Sequence, residues 1–192
     1  MKIIAFNGSP CPGGNTAALL DEAIRPLREA GHTVRVFDLN VVNIKPCQDC
    51  GGCEKTGTCL HEDAMTEIYA KIREAERIIF ASPIYFFGVS AQAKVMIDRC
   101  QAFWCEKYLL KKEIPAGPHG RKGLLLLVGG QNTRGSSTCA EETATAFFRT
   151  VSVPEHTTLF FGGVDGRRDI LKHPTALQDA ADAGKRLGTL TG

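Results

Sequence analysis

Apolar residues along this chain follow two alternating rhythms. Residues 2–7, 33–39, 77–82, 123–129 and 157–161 read as strands. Four of these are near-continuous apolar runs, the pattern of strands buried on both faces of a parallel sheet. Residues 33–39 alternate instead, with Val34, Val36 and Asp38 set against Arg35 and Phe37, which suits an edge strand. Between the strands, apolar residues recur at helical spacing over 15–30, 63–75, 90–105, 137–150 and 175–190. Asn15 and Ser90 are read as N-caps and Gly31 as a C-terminal stop.

Strand and helix therefore alternate five times. This pattern predicts an α/β fold, a doubly wound five-stranded parallel sheet with helices on both faces, for which the common strand order is 2-1-3-4-5. The 192 residues suffice for one domain, read as 1–192 with a cysteine-rich loop at 47–59. Residues 106–122 read as an extended surface connection rich in Pro and Gly. Composition adds little, at 43% hydrophobic and 23% charged. The formal net charge of +2 and the absence of long basic runs argue against nucleic acid or a membrane surface as a partner. The first apolar stretch is too short for a signal peptide, and no run nears the ~18 apolar residues of a membrane helix. A cytoplasmic location is expected. In that reducing setting the eight cysteines point to metal binding or redox chemistry rather than a disulfide scaffold.

In an open sheet of this order the ligand lies beyond the carboxyl ends of the strands, where the order reverses. The loops after strands 1 and 3 flank that point. After strand 1, Gly8-Ser9-Pro10-Cys11-Pro12-Gly13-Gly14-Asn15-Thr16 opens directly into a helix. Backbone N–H groups at a helix start attract anions, and Ser9, Asn15 and Thr16 add polar donors. The loop lacks the lysine of a Walker A motif and the spacing of a dinucleotide fold, so a terminal monophosphate suits it. After strand 3, Pro83, Ile84, Tyr85, Phe86, Phe87 and Gly88 offer an apolar wall for a planar ring. An ordinary capped turn and a few core aromatics are the plainer alternatives. The loop after strand 4, with Gly130, sits on the same edge and is equally readable as a plain turn.

These residues carry a resemblance. Residues 8–16 look like the phosphate loop of the NAD(P)H-dependent FMN reductase branch of the flavodoxin-like superfamily. The stretch from Ser82 through Arg99 is very similar to that branch's flavin-ring loop and following helix. The resemblance implies FMN, with its phosphate on Ser9, Asn15 and Thr16 and its ring along Pro83, Ile84, Tyr85, Phe86, Phe87 and Gly88; Cys11 and Gly14 of the same loop and Gly130 after strand 4 are further candidate cofactor contacts. Cys11 stands where the family often carries an arginine, which removes a charge partner from the phosphate.

After strand 2, Cys47, Cys50, Cys53 and Cys59 are spaced Cys-x2-Cys-x2-Cys-x5-Cys. Four thiolates in a glycine-rich loop suit an iron–sulfur centre, and zinc also accepts four. A chance cluster of thiols is the bland alternative. The motif resembles that of the iron–sulfur flavoproteins, a subgroup of the same branch, and this implies a [4Fe–4S] cluster on all four cysteines. It further implies a homo-oligomer, dimer or tetramer, and a ferredoxin-like donor. Because strands 1, 2 and 3 end on one edge, the cysteine loop is expected beside the flavin loops. Cys100, Cys105 and Cys139 are read as small buried hydrophobes, His61 as a surface residue, and Asp98 with Arg99 as a structural pair. No acid–base or nucleophilic side-chain constellation is found, so catalysis falls to the flavin. Three functions follow: a redox protein moving electrons between a cluster and FMN to a small-molecule or protein acceptor; an NAD(P)H-dependent FMN or quinone reductase without a cluster; and a non-catalytic flavin-binding carrier or redox sensor.

Overall fold

The computed structural model describes residues 1–112, 114–133 and 135–189. Five parallel strands form the sheet: β1 (Lys2–Asn7), β2 (Thr33–Asp38), β3 (Arg77–Tyr85), β5 (Lys122–Val128) and β6 (Glu155–Phe161). A two-residue strand, β4 (Gly88–Val89), folds back antiparallel on β3. The order β2-β1-β3-β5-β6 is the expected 2-1-3-4-5 with β4 set aside. The order follows from the chain's pattern, since each right-handed crossover must bring a helix back over the sheet.

The central strands are apolar because both faces are covered. On one face α1 (Asn15–Glu29) and α7 (Ala176–Leu187) pack over Ile3, Ala5, Ile79, Leu124 and Leu126. On the other, α3 (Met65–Glu74), α4 (Ala91–Arg99), α5 (Gln101–Trp104) and α6 (Thr138–Thr150) cover Ile4, Phe6, Ile78, Phe80, Leu125 and Leu127. The edge strands β2 and β6 are only partly buried. For β6 this departs from the reading of a run buried on both faces: as the sheet's last strand it has one neighbour only. α1 and α7 approach closely at Gly184, where a Cβ would meet the Ala23 carbonyl oxygen at 1.9 Å.

Three segments depart most from expectation. β3 runs on to Tyr85, past Pro83, because its last residues pair with β4 rather than ending in a loop. The helix expected over 90–105 breaks into α4, α5 and a π-helical turn at Cys105–Leu109, tied to α3 by Arg73–Glu106 at 2.6 Å. The connection read as surface over 106–122 buries Ile114 and Arg121, whose guanidinium donates to the carbonyls of Ile72, Arg73 and Val151. Leu190, to which the last helix was extended, and Arg134 of the loop after β5 lie outside the described residues.

Candidate functional site

The loop after β1 is pinned to β3 and α4 before it turns. Gly8 N–H donates to the Ala81 carbonyl at 2.8 Å, and the Gly8 carbonyl accepts from Ser90 Oγ at 2.5 Å. A Cβ on Gly8 would sit 3.0 Å from both the Ala81 oxygen and Ala93 Cβ, so the approach needs glycine. Ser90 caps α4 by accepting from Ala93 N–H, as expected, and its own N–H donates to Ser82 Oγ. The turn itself closes on Ser9, whose Oγ accepts from Cys11 N–H at 3.1 Å, and on Gly14 N–H donating to the Cys11 carbonyl.

The start of α1 is open. Gly14, not Asn15, is its N-cap, and no side chain caps it. The first-turn N–H groups therefore face outward without partners from the helix. Asn15 departs from both roles expected of its side chain. Its Nδ2 donates to the Gly166 carbonyl at 2.9 Å and its Oδ1 accepts from Ile170 N–H at 3.2 Å. The amide is thus committed to the loop after β6. Thr16 is 2% exposed and lines the cleft, and its hydroxyl makes no hydrogen bond among the described residues. Uncapped N–H groups plus an unpaired hydroxyl fit an anion such as a phosphate.

The cleft over this helix start has a volume of about 300 Å³ and is walled by Ser9, Cys11, Gly14, Asn15, Thr16, Pro83, Ile84, Tyr85, Gly129, Gly130, Asp165 and Arg167, among others. A second cavity of about 500 Å³ adjoins it, sharing Ile84, Tyr85, Gly129, Gly130 and Asp165, and adding Phe86, Phe87, Gln131 and Ser136. The combined dimensions suit a ligand with a ring at one end and an anion at the other. Of the residues expected from the sequence, only Gly88 lines neither cavity; it pairs with Tyr85 in the hairpin. At Gly130 a Cβ would lie 2.7 Å from Asp165 Oδ1, so the exposed Asp165 carboxylate would have to swing aside.

Phe86 and Phe87 are the two central residues of the β3–β4 hairpin, with φ of 49° and 64°. Both positions of a two-residue type I′ turn need positive φ, which favours Asn and Gly over Phe. Phe86 is fully exposed and Phe87 and Tyr85 about half so. Strained backbone carrying exposed aromatics is a feature of binding sites.

Asp165, Arg167 and their neighbours were missed by sequence reading. The polar stretch after β6 carries no motif. The only available signal was topological: the carboxyl end of β6 lies on the same sheet edge as those of β1 and β3.

The cysteines occupy a different place. Cys47, Cys50, Cys53 and Cys59 all line one cleft, together with His61, Arg99 and Cys105. The loop is shaped by left-handed residues at Asp49, Gly51 and Gly57 around the short helix α2 (Gly52–Thr56). Its anchor is Arg99, fully buried at the end of α4. The Arg99 guanidinium donates to Asp63 and to the Lys45 carbonyl at 2.6 Å each, and to Cys59 Sγ at 3.4 Å. Burial raises the Asp63 carboxyl, but hydrogen bonds from Arg99 and from the N–H groups of Lys45 and Met65 outweigh it and hold it below the usual carboxylate range. Asp98 pairs with Lys94, not with Arg99. Successive helical residues point about 100° apart, whereas positions four apart share a face.

The donor set in this cleft fits a four-thiolate centre. Among the described residues no three of His, Cys, Asp or Glu converge on one point as they would around a single metal ion. Cys53 Sγ lies 3.6 Å from Cys105 Sγ. Burial and this neighbour push the Cys53 thiol up to about 12. Cys100 and Cys105 are buried as expected, Cys105 lining this cleft, whereas Cys139 is exposed and His61 is half-buried with a buried, unpaired Nε2, both unlike the reading from sequence. The cleft also does not adjoin the two cavities. It lies at the far end of α4 from Ser90, because the chain after Leu39 descends along the helical face, packing Val42 and Ile44 on the core. No helix among the described residues is long and apolar enough to cross a membrane.

Residues 1–161 match the family model described as NADPH-dependent FMN reductase. An iron–sulfur flavoprotein of Archaeoglobus fulgidus is 32% identical over 152 residues, 79% of this chain and 74% of that one. Another, of Methanocaldococcus jannaschii, is 42% identical over 99 residues, 52% of this chain and about half (51%) of the relative's length. Among solved structures, an NAD(P)H:quinone oxidoreductase from Methanothermobacter marburgensis superposes with a TM-score of 0.71 at 20% identity, covering 99% of this chain and 98% of that one. An FMN-dependent NADH-azoreductase from Bacillus anthracis, in complex with FMN, gives a TM-score of 0.68 at 13% identity, over 97% and 99%. At these identities the structural likeness speaks to the fold.

Proposed function

We propose, from the premise that this chain belongs to the NADPH-dependent FMN reductase family and to its iron–sulfur flavoprotein subgroup, that it is an FMN-dependent oxidoreductase exchanging electrons with a [4Fe–4S] centre on Cys47, Cys50, Cys53 and Cys59. One observation carries the flavin assignment. An uncapped helix start and an aromatic hairpin wall two adjoining cavities that share Ile84, Tyr85, Gly129, Gly130 and Asp165.

In this reading the N–H groups opening α1, with Ser9 and Thr16, take the flavin phosphate. Cys11 and Gly14 shape that turn, and Pro83, Ile84 and Gly130 form the middle of the trough. Tyr85, Phe86 and Phe87 flank the ring and shield one side of it from water. When bound, FMN supplies both one- and two-electron chemistry, which lets it couple a cluster to a two-electron acceptor. Arg99 holds the cysteine loop to α4 and donates to Cys59 Sγ, a contact that lowers the negative charge felt at that sulfur and favours a reduced centre. A homo-oligomer and a ferredoxin-like or nicotinamide donor complete the proposal.

The matching family's description as an NADPH-dependent FMN reductase favours a second reading, an NAD(P)H-dependent FMN or quinone reductase whose thiols bind no cluster. Iron and acid-labile sulfide per FMN, measured on anaerobically purified protein, separate the two. About four irons and four sulfides per flavin support the two-centre protein. Flavin without iron, with rapid turnover on a nicotinamide donor, supports the second. Flavin bound with negligible turnover on any donor leaves a carrier.

A further inference from the structure

The phosphate end of the cleft carries a charge problem. Residues 8–16 contain no lysine or arginine. A flavin phosphate is a dianion near neutral pH, and neutral donors alone stabilise it less than donors backed by a cation. Asp165, an anionic residue, lines the same cleft. Among the described residues, Arg167 is the one cationic residue lining it.

The position of Arg167 is built rather than incidental. Its Nη2 donates to the Pro12 carbonyl at 3.2 Å, which lays the guanidinium along the turn that opens α1. Its Nε and Nη1 make no hydrogen bond among the described residues. The segment bearing it is clamped to the helix start by both ends of the Asn15 amide, at Gly166 and Ile170. The following residue, Arg168, is left-handed with φ of 65°, so the loop turns sharply just after Arg167. The unpaired hydroxyl of Thr16, a residue 2% exposed, lines the same cleft.

We infer that Arg167 is the cation for the flavin phosphate, that Asn15 is the positioning residue that holds it there, and that together they make this site select a flavin monophosphate over the unphosphorylated flavin. The inference rests on the flavin reading above and adds the specificity of its phosphate end. It assigns the charge that Cys11 does not supply to Arg167, whose guanidinium reaches back across 155 residues of chain to the Pro12 carbonyl.

The test is a pair of dissociation constants, for FMN and for riboflavin, from quenching of flavin fluorescence. They are measured on the full chain and on Arg167→Ala, Arg167→Lys and Asn15→Ala. Riboflavin has the ring without the phosphate, so the ratio of the two constants isolates the phosphate end. Arg167→Ala is expected to weaken FMN roughly tenfold and riboflavin less than about twofold, as for one charge-assisted hydrogen bond at an exposed edge. Arg167→Lys recovers part of the ratio, and Asn15→Ala lowers it in the same direction. The FMN affinity of the full chain also falls with salt more steeply than that of Arg167→Ala. An unchanged ratio in Arg167→Ala overturns the inference, as does equal weakening of both flavins. A full ratio in Asn15→Ala removes Asn15 from it. If the unaltered protein binds neither flavin, the flavin reading itself fails, an outcome distinct from all of these.

Discussion

Replacing Phe86 by asparagine isolates the strain of the aromatic hairpin from the chemistry it serves. Phe86 holds φ of 49° at the first central position of a two-residue turn, and its ring is fully exposed. A left-handed conformation costs an ordinary side chain about 1–2 kcal/mol, and asparagine relieves much of that by local hydrogen bonding. No burial is lost with the ring, so Phe86→Asn should stabilise the flavin-free protein by about 1 kcal/mol, or roughly 2–4 °C in Tm for a domain of this size. Phe86→Ala removes the same ring but keeps a Cβ at positive φ, and should change stability by less than about 0.5 kcal/mol. Thermal denaturation of both flavin-free variants gives the comparison. FMN affinity should fall alike in the two, about 2- to 10-fold, since an aromatic contact contributes about 0.5–1.5 kcal/mol. Equal stabilities for the two variants, or an asparagine variant less stable than the parent, would refute the claim that the turn is strained. Unequal losses of FMN affinity would refute the claim that the ring alone matters there.

Other perturbations reach other parts of the molecule. Gly184→Ala should cost about 3 kcal/mol or more despite alanine's better helix propensity, because its Cβ would drive into the Ala23 carbonyl at the α1–α7 contact; a Tm within a degree or two of the parent would show that the helices move apart freely. Arg99→Met leaves Asp63 buried without its cation, and should destabilise by about 3–5 kcal/mol in urea denaturation at neutral pH. Asp63→Asn in the same background should recover part of that loss, and no recovery would place the cost elsewhere. Burial, then the Arg149 charge, lowers the pKa of His156 below its ordinary value near 6.5. A group harder to protonate when folded contributes stability that is present above 6.5 and is lost as pH falls through the folded value. The pH–stability profile of His156→Gln should be flatter over that window, and a profile parallel to the parent's would rule His156 out as the titrating group.

The three central strands were legible because burial on both faces leaves an apolar run, and the edge strand β2 because one covered face leaves an alternation. Their order was legible because it sets which loops carry unusual chemistry, and those after β1 and β3 did. The hairpin was not legible. Pro83 and three aromatics resemble a loop after a strand, and Phe-Phe is not the dipeptide a tight turn calls for. Asn15 stood at a cap position with a capping residue's chemistry, yet its amide reaches Gly166 and Ile170. A local signal cannot announce a partner that a far segment supplies. Asp165 and Arg167 escaped for the same reason. Asp98 and Arg99 were joined because they are neighbours in sequence, when helical geometry sends one to Lys94 and the other to Asp63.

The largest departure concerns distance. Strand topology sets where a loop begins, and so suggested cysteines beside the flavin loops. The stretch after Leu39 is long enough to leave that edge, and apolar residues within it, Val42 and Ile44, draw it down over the core. The cysteines come to rest against Arg99, while Ser90 at the other end of the same helix closes the loop after β1. α4 spans nine residues, about 13 Å at the usual rise of ~1.5 Å per residue. A helix of that length, packed on the core along Ala93, Met96 and Arg99, keeps the two regions apart while fixing their relation. A substitution in the cysteine cleft can therefore leave the flavin cavities intact unless it displaces α4. Flavin affinity and iron content are accordingly separable measurements in this protein, and Arg99, which holds the helix to the cysteine loop, is where a single change would couple them.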